Sequence, residues 1–349
     1  MPADEPSLTG ITTALAGLGF ELRRSWPRSV DQLLLDLQPL DEASGRPVAG
    51  QWFRDPDQAR STAAATPGAR RADRFVLQPG GADQKLSALG ELLQDPRNEL
   101  VSHRPERRAV LRQRRGREHR YTKVVPVKKH PGLERATRLA AGLPLRTPVV
   151  HSTDAARGTV TTEALPGPTL HALLAGPGAE AACVATGAAL AALHRIEPPA
   201  AVPVHAWSAE EAVTQRWQQH ASSYRAPIIQ IGAADDAPAR VEIGAAPQAL
   251  IHRDFHDLQV LVDQDGSVGV LDFDLMAIGD PALDLANLLA HLDLRQRQGL
   301  IADAGPLRHA VLNGYAPGSA LAQRIPGYEA LARQRLAAVY AFRPTRRIT

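Results

Sequence analysis

The stretch that decides the fold is HRDFHDLQVLVDQDGSVGVLDFDLMAIGDPALD, residues 252–284. A polar loop carrying Asp254 comes first, and two short apolar segments joined by a turn at Asp265-Gly266 follow it. This pattern predicts a hairpin of two short strands. Asp272 and Asp274 then stand at the end of the second strand.

Acidic residues at the end of an apolar strand, beside an acid in a loop, predict a concave anionic site. Such a cluster is costly to bury unless cations occupy it. Carboxylate and amide oxygens are the ligands that hard divalent cations prefer. The sequence therefore predicts a Mg²⁺ site of the kind that holds nucleotide phosphates.

The same block resembles a known family. HRD-x4-Q, VLDFD and GDPALDLA resemble the catalytic loop and metal-binding strand of the aminoglycoside phosphotransferase and choline kinase-like families, small-molecule relatives of protein kinases. The resemblance implies that Asp254 is the catalytic base that accepts the proton of the substrate hydroxyl. It also implies that Asp272 joins Mg²⁺ to the nucleotide phosphates and that Gln259 replaces the usual loop Asn as a metal ligand. Asp274 is a candidate for a further metal contact.

The resemblance extends upstream, to residues that would bind the nucleotide. Lys123, on the strand RYTKVV, stands where the family places the lysine that contacts the α- and β-phosphates. Glu134, on the next helix, is its expected ion-pair partner. Residues 162–167 resemble the hinge whose backbone pairs with the purine, so Glu163 and Leu165 are expected beside the base.

Other residues of the block are expected to support the site. His252 is expected to be a packing and hydrogen-bonding element, and Asp284 of the GDP-x-x-D segment to tie the loop to its helix. His256 and Asp257 lie inside the loop and are expected to face either solvent or substrate.

By this resemblance we expect an α+β, protein-kinase-like bilobal fold with a small N-terminal α/β extension. Residues 1–95 would form the extension, called the cap below. Residues 96–166 would form an N-lobe of three strands, a helix and two strands, and residues 167–349 a helical C-lobe with the catalytic loop. The predicted cap elements are a helix at 11–18, strands at 33–40, 47–53 and 74–78, a loop at 60–71 and a helix at 82–93. Residues 233–247 are expected to form a loop.

Two features depart from the family pattern. The turn at residues 103–107, HRPER, lacks the glycines whose backbone N–H groups normally cover the phosphates, so arginine side chains are candidates for that role. Gln259 resembles the loop residue of the maltokinase and glucosamine kinase branch, which also carries an N-terminal cap. This favours a sugar, an amino-sugar or an aminoglycoside as acceptor, bound around residues 205–245 and the last helices.

Composition and charge argue against a nucleic-acid-binding, a disulfide-bonded or a membrane protein. Eight arginines lie between Arg104 and Arg120, but the net charge is only +3 and no aromatic residue interrupts the run before Tyr121. A single-stranded nucleic acid would need such stacking platforms, so no nucleic-acid partner is expected. Cys183 is the only cysteine and cannot form an internal disulfide. The N-terminus does not resemble a signal peptide and no segment suits a membrane span, which predicts a cytoplasmic protein.

The sequence thus predicts an enzyme that moves the γ-phosphoryl group of ATP or GTP to a hydroxyl of a small molecule, with Mg²⁺ as cofactor. Two alternatives stay open: a kinase for a peptide or protein Ser/Thr in a biosynthetic pathway, and a nucleotide-binding pseudokinase. The partners expected are a nucleoside triphosphate and a small hydroxyl-bearing acceptor.

Overall fold

Two antiparallel sheets are followed by a mainly helical region. The computed structural model describes residues 6–41, 46–116, 118–199, 202–231 and 248–344. Each of the two sheets has five strands. The predicted loop at 233–247 lies outside the described residues. Across the described residues, no helix combines the length and the apolar character needed to cross a bilayer.

The cap contains the first sheet, with strand order β1-β2-β3-β5-β4. Its elements are α1 (Leu8–Gly17), β1 (Phe20–Ser29), β2 (Gln32–Pro39), β3 (Val48–Phe53), α2 (Pro56–Ala64), β4 (Arg70–Ala72), β5 (Phe75–Gln78) and α3 (Leu89–Leu92). Ser7 caps α1 by accepting a hydrogen bond from the N–H of Gly10. One face of α1 packs on the leucines of β1 and β2, which places the cap core between helix and sheet.

Two predictions for the cap are wrong. Residues 56–64, partly assigned to a loop, form α2, because Asp55 accepts a hydrogen bond from Asp57 N–H and Pro56 occupies the first helical turn. The helix predicted at 82–93 is reduced to Leu89–Leu92. There the Asp83 carboxylate accepts the N–H groups of Lys85 and Leu86, at 2.8 and 3.0 Å, which ties the backbone into a turn instead.

The second sheet has the predicted order of three strands, a helix and two strands. Its elements are β6 (Asn98–Arg104), β7 (Arg108–Arg115), β8 (Glu118–Val124), α4 (His130–Ala141), β9 (Val150–Asp154) and β10 (Thr159–Glu163), with strand order β6-β7-β8-β10-β9. Arg104 pairs with Arg108, and Val110 with Lys123. Because paired residues share a face and alternate residues of a strand return to it, Arg104, Arg108 and Lys123 project from the same face.

Helices dominate the C-terminal region. Its elements are α5 (Leu170–Leu173), α6 (Ala179–His194), β11 (Val204–His205), α7 (Trp207–Ser223), β12 (Ala249–Ile251), β13 (Val260–Val262), β14 (Val268–Val270), β15 (Ala277–Gly279), α8 (Ala282–Arg297), α9 (Gly305–Tyr315), α10 (Ser319–Ala322) and α11 (Ile325–Tyr340). Strands β13 and β14 form the predicted hairpin. Helix α8 is buried along most of its length, so its first turn is a rigid support for the preceding loops.

The cap also binds the helical region. The N–H of Ser25 donates to the carbonyl of Phe342 at 2.8 Å, and the Tyr224 hydroxyl donates to the carbonyl of Ser29 at 2.8 Å. The rings of Trp52 and Tyr224 meet edge to face with centroids 6.0 Å apart. The cap therefore connects β1 to α11 and the end of α7. The boundaries proposed near residues 95 and 166 stay a prediction.

Candidate active site

The loop between β12 and β13 carries Asp254, the predicted catalytic base. Its side chain is 38% exposed. Among the described residues no hydrogen bond reaches its carboxylate, and His256 Nε2 lies 3.9 Å from Oδ1. A carboxylate that is open to solvent and not engaged by the protein can accept the proton of a bound hydroxyl.

Asp284, buried in the first turn of α8, fixes the backbone of this loop. Its Oδ2 accepts the N–H of His252 at 2.6 Å and its Oδ1 the N–H of Arg253 at 2.7 Å. Arg253 has φ 70°, a left-handed conformation that costs about 1 kcal/mol outside glycine, and these bonds hold it there. Burial alone would raise the pKa of Asp284, but the hydrogen bonds and charges of His194 and His252 together outweigh it and the pKa lies below its ordinary value. The predicted structural role of Asp284 is confirmed.

His252 joins the catalytic loop to the strand that ends at Asp272. Its Nε2 lies 2.6 Å from the carbonyl oxygen of Leu271, the residue before Asp272. Its ring meets the rings of Phe255 and Phe273 edge to face. His252 is thus a packing and hydrogen-bonding element, as predicted.

Asp257 is buried and faces neither solvent nor substrate. Arg295 donates two hydrogen bonds to its carboxylate, at 2.7 and 2.9 Å, and His171 Nδ1 lies 2.5 Å from Oδ2. His256 stacks on His291 with ring centroids 4.5 Å apart. A buried carboxylate with this many partners supports the loop and is not available as a second base.

Asp272 and Asp274 lie together just after β14 and hold two cations of the second sheet. Lys123 Nζ donates to Asp272 Oδ1 at 2.7 Å and to Asp274 Oδ1 at 2.9 Å. Arg108 Nη1 lies 3.5 Å from Asp272 Oδ2 and 4.0 Å from Asp274 Oδ2. Asp272 has φ 62°, a left-handed backbone conformation that few residues other than glycine adopt. The predicted lysine and the predicted metal-binding acids are therefore in direct contact.

Charge coupling in this group sets the pKa values. Burial would lower the pKa of Lys123, but Asp272 and Asp274 outweigh it and the pKa is raised. Burial would raise the pKa of Asp272, but the charges of Lys123 and Arg108 hold it well below its usual range. Burial and the charge of Asp272 raise the pKa of Asp274 in spite of Lys123. A further cation would favour ionisation of both carboxylates.

The donor atoms at this position fit Mg²⁺. Within the described stretches, no three His, Cys, Asp or Glu side chains gather as a complete metal cluster. Two carboxylates and one amide are nevertheless a suitable partial set, because Mg²⁺ usually keeps waters and phosphate oxygens as its other ligands. Gln259, the third predicted ligand, is half-buried. Its backbone carbonyl accepts a hydrogen bond at 2.8 Å from the N–H of Leu271, the residue before Asp272.

The ion pair predicted between Lys123 and Glu134 is not formed in this structure. Lys123 is held by the two aspartates, while Glu134 accepts hydrogen bonds from Arg138 at 3.0 and 2.8 Å and from Thr153 Oγ1 at 3.1 Å. Arg138 lies one turn further along α4, so it reaches Glu134 without any movement between sheet and helix.

The segment after β10 carries the predicted hinge residues. The N–H groups of Glu163 and Ala164 donate to Val149 and His119 of neighbouring strands, at 3.0 and 3.1 Å. Within the described part of the chain the N–H of Leu165 has no acceptor, so it is available to a ligand. The side chain of Leu165 packs on Gly269 of β14, and the side chain of Glu163 is exposed.

Residues of the cap hold the glycine-free turn between β6 and β7. The contacts of Asp83, Lys85 and Arg28 with Glu106 are called the clamp below. Glu106 lies in this turn with φ 58°, and its N–H donates to Asp83 Oδ2 at 2.7 Å. Its buried carboxylate pairs with Lys85 and Arg28. Asp83 is also 2.9 Å from His103 Nε2. The N–H of Glu106 is thus engaged by the protein and is not available to a phosphate oxygen.

Sequence reasoning missed the site residues that depend on this clamp. Lys85 and Arg108 are not among the site residues that the sequence predicts. The available signal for Arg108 was its position on the strand next to that of Lys123, two residues before the register partner of Lys123. No local pattern indicated that Arg28 and Glu106 would meet, since they are separated by 78 residues.

Comparisons with known proteins show which folds this chain is similar to. The structure is similar to that of aminoglycoside phosphotransferase APH(3'')-Id from Streptomyces rimosus. In its complex with ADP and streptomycin that protein gives a TM-score of 0.53 at 19% identity, over 72% of this chain and 98% of the other. A choline/ethanolamine kinase family protein from Mesorhizobium loti gives a TM-score of 0.47 at 16% identity, over 73% and 82% of the two chains. Among curated protein sequences, none matches this chain.

A sequence model of the phosphotransferase enzyme family matches residues 86–321. This range includes the second sheet, the catalytic loop and the strand with Asp272. The likeness to the Streptomyces rimosus enzyme supports the same kinase-like α+β fold. Since the family model covers more than half of the chain, the protein belongs to the phosphotransferase enzyme family.

Proposed function

We propose that the protein transfers the γ-phosphoryl group of ATP or GTP to a hydroxyl of a small molecule. The observation that carries this proposal is that the loop with Asp254 is joined directly to the segment with Asp272. An open Asp254 carboxylate stands on a loop fixed by Asp284, and the same loop is joined through His252 to the strand that presents Asp272.

In this proposal each residue has one task. Asp254 orients the acceptor hydroxyl and takes its proton as the oxygen attacks the γ-phosphorus. Lys123 and Arg108 neutralise phosphate oxygens, and the N–H of Leu165 meets the purine. Asp272, with Gln259 and Asp274, would hold Mg²⁺. The metal supplies charge neutralisation between the phosphates.

Lys123 needs a change of partner in this scheme. Its ammonium group now lies between two carboxylates that Mg²⁺ would share. With a nucleotide present, phosphate oxygens offer Lys123 a second set of acceptors, and the carboxylates become available to the metal. Catalysis would then rest on positioning and charge neutralisation.

The acceptor is proposed to be a small hydroxyl compound, with sugars, amino-sugars and aminoglycosides as the first classes to test. A nucleotide-binding protein without turnover is the second candidate, because Asp83 engages the N–H of Glu106 in the turn that would cover the phosphates.

One assay separates these candidates. Mg²⁺-dependent release of ADP or GDP is measured with sugars, amino-sugars, aminoglycosides, choline-like alcohols and Ser/Thr peptides as acceptors. Transfer to one class supports the enzyme and names its substrate. Tight nucleotide binding without transfer to any class would support the pseudokinase, and transfer to peptides alone would redirect the proposal to a protein kinase.

A further inference from the structure

Two arginines from different parts of the fold meet on one tryptophan at the cap side of the cleft. The guanidinium carbon of Arg24, on β1, lies 4.7 Å from the ring centroid of Trp26. The guanidinium carbon of Arg104, at the end of β6, lies 5.3 Å from the centroid of the same ring. Both side chains are half-buried. Folding therefore brings two cations together where they are only partly solvated.

Arg104 lies on the sheet face that holds Arg108 and Lys123, and Arg24 lies next to it across Trp26. Arg104 is the register partner of Arg108, so the two project from the same face of the sheet. Arg108 reaches the carboxylate of Asp272 from that face. The group formed by Arg24, Arg104 and Trp26, called the arginine pair below, consequently lies beside the metal-binding strand, on the side covered by the cap.

Neither member of the arginine pair has an acidic partner among the described residues, although neighbouring arginines do. Arg28, four positions after Arg24, pairs with Glu106, and Arg112 pairs with Glu99 at 2.7 Å. Arg104 Nε is buried and makes no hydrogen bond within the described chain. Partly buried cations are normally paired with an acid, and stacking on Trp26 still leaves the N–H donors of these two guanidinium groups without an acidic acceptor among the described residues.

The electrostatic surroundings show the same imbalance. Burial first, and then the charges of Arg343 and Arg104, lower the pKa of Arg24 to about 9. Burial, followed by the charges of Arg107 and Arg108, lowers the pKa of Arg104 to about 10. A bound anion would relieve this repulsion, and two planar guanidinium groups are suited to bidentate contacts with a phosphate or a carboxylate.

We propose that Arg24 and Arg104 bind an oxyanion group, phosphate or carboxylate, of the acceptor, so that the acceptor is an anionic hydroxyl compound and not a cationic amino-sugar. This inference rests on the proposed phosphotransfer. The acceptor is the favoured source of the anion because Lys123 and Arg108 already stand at the metal-binding strand for the triphosphate. Arg24, in contrast, comes from the cap, beyond the β6–β7 turn.

The first test uses sulfate as the probe and isothermal titration calorimetry as the measurement. The full-length protein is expected to bind sulfate saturably. Arg24→Gln and Arg104→Gln should each weaken the binding at least about tenfold, since each removes charged hydrogen bonds. Arg24→Lys keeps the charge but loses the planar guanidinium group and its paired N–H donors, so its affinity for sulfate should lie between those of wild type and Arg24→Gln. Two control variants should bind like wild type: Arg23→Gln, the exposed neighbour of Arg24, and Arg112→Gln.

The second arm distinguishes the two sources of an oxyanion. The titration is repeated with the protein saturated with Mg²⁺ and a non-hydrolysable ATP analogue. Persistent sulfate binding supports an acceptor subsite. Loss of sulfate binding would mean that the arginine pair holds the γ-phosphate, which overturns the proposal. Absent or nonspecific sulfate binding, unchanged in Arg24→Gln and Arg104→Gln, would also overturn it.

Folding and the wider proposal are judged separately. Glutamine at either position removes a repelled cation, and the melting temperature in the absence of sulfate verifies that the variants are folded. Failure of the ATP analogue to bind would refute phosphotransfer, while the titration without nucleotide would still decide whether the arginine pair binds anions. In the acceptor assay, extended to sugar phosphates and hydroxy acids, Arg24→Gln should raise KM for the anionic acceptor at least about tenfold and leave KM for ATP within about twofold.

Discussion

Lys123 Nζ lies 2.7 Å from Asp272 Oδ1, so the cation predicted to bind the phosphates is in contact with an acid predicted to bind the metal. Lys123→Met should remove this cation and leave the triphosphate under-neutralised. We expect kcat/KM for ATP to fall about 100- to 1,000-fold. Lys128→Met, at an exposed position nearby, is the matched control and should change kcat/KM little. Full activity of Lys123→Met would remove this lysine from the mechanism.

Asp284 should make the stability of the protein depend on pH. Its folded-state pKa is lowered, so the unfolded chain binds more protons in acid. The contribution is complete above the unfolded pKa of about 3.9 and is lost as the pH falls from there towards the folded pKa. Asp284→Asn should cost about 3 kcal/mol at pH 7, because buried N–H donors lose their acceptor, and should flatten the slope. Urea unfolding between about pH 3 and pH 6 measures this. An unchanged slope in the variant would exclude Asp284 as its source.

Glu106 is expected to contribute far more to the free energy of unfolding than Glu99, a surface acid on the same hairpin. Glu106→Gln leaves Lys85 and Arg28 without their anion in a partly buried place and should cost about 3 kcal/mol in free energy of unfolding. Glu99→Gln breaks an exposed pair and should cost less than about 1 kcal/mol. Because the clamp orients the turn over the cleft, Glu106→Gln should also raise KM for ATP. Equal unfolding free energies for the two variants would show that the clamp is not structural.

Gly187 should be indispensable to the contact between α6 and α9. A Cβ atom there would stand 2.1 Å from the carbonyl oxygen of Val311, which is backbone and cannot swing aside. Gly187→Ala should therefore destabilise the fold by about 2 to 3 kcal/mol. Gly132→Ala is the control, since its Cβ meets nothing within 4 Å and alanine favours a helix by about 1 kcal/mol over glycine. Thermal unfolding of both variants checks the difference in sign.

The fold and the catalytic loop could be predicted because their signals are local. Asp254, Gln259 and Asp272 lie within one short segment, and the hairpin of β13 and β14 fixes how the loop returns beside the strand. The resemblance of this block to a family then supplied the order of the remaining elements.

The cap could be predicted only in part, because its informative contacts are distant in sequence. β1, with the sequence FELRRSWPRS, shows no clean alternation and contains Pro27, so it was missed. The pairing of Arg24 with Arg104 depends on how two sheets meet, which no local pattern encodes. Lys123 contacts Asp272 and Asp274 in place of the predicted partner Glu134, and this too depends on distances between segments that are far apart in sequence. By contrast, Asp55-Pro56 was a usable start signal for α2.

The most direct test of the account is the Mg²⁺-dependent turnover of Asp254→Asn with the best acceptor from the screen. Asparagine keeps the size of the side chain but cannot take a proton, so kcat should fall at least about 1,000-fold while the dissociation constant of the nucleotide stays within about twofold. Asp265→Asn, in the exposed turn between β13 and β14, should behave like wild type. Turnover by Asp254→Asn within about tenfold of wild type would contradict the assignment of Asp254 as the catalytic base.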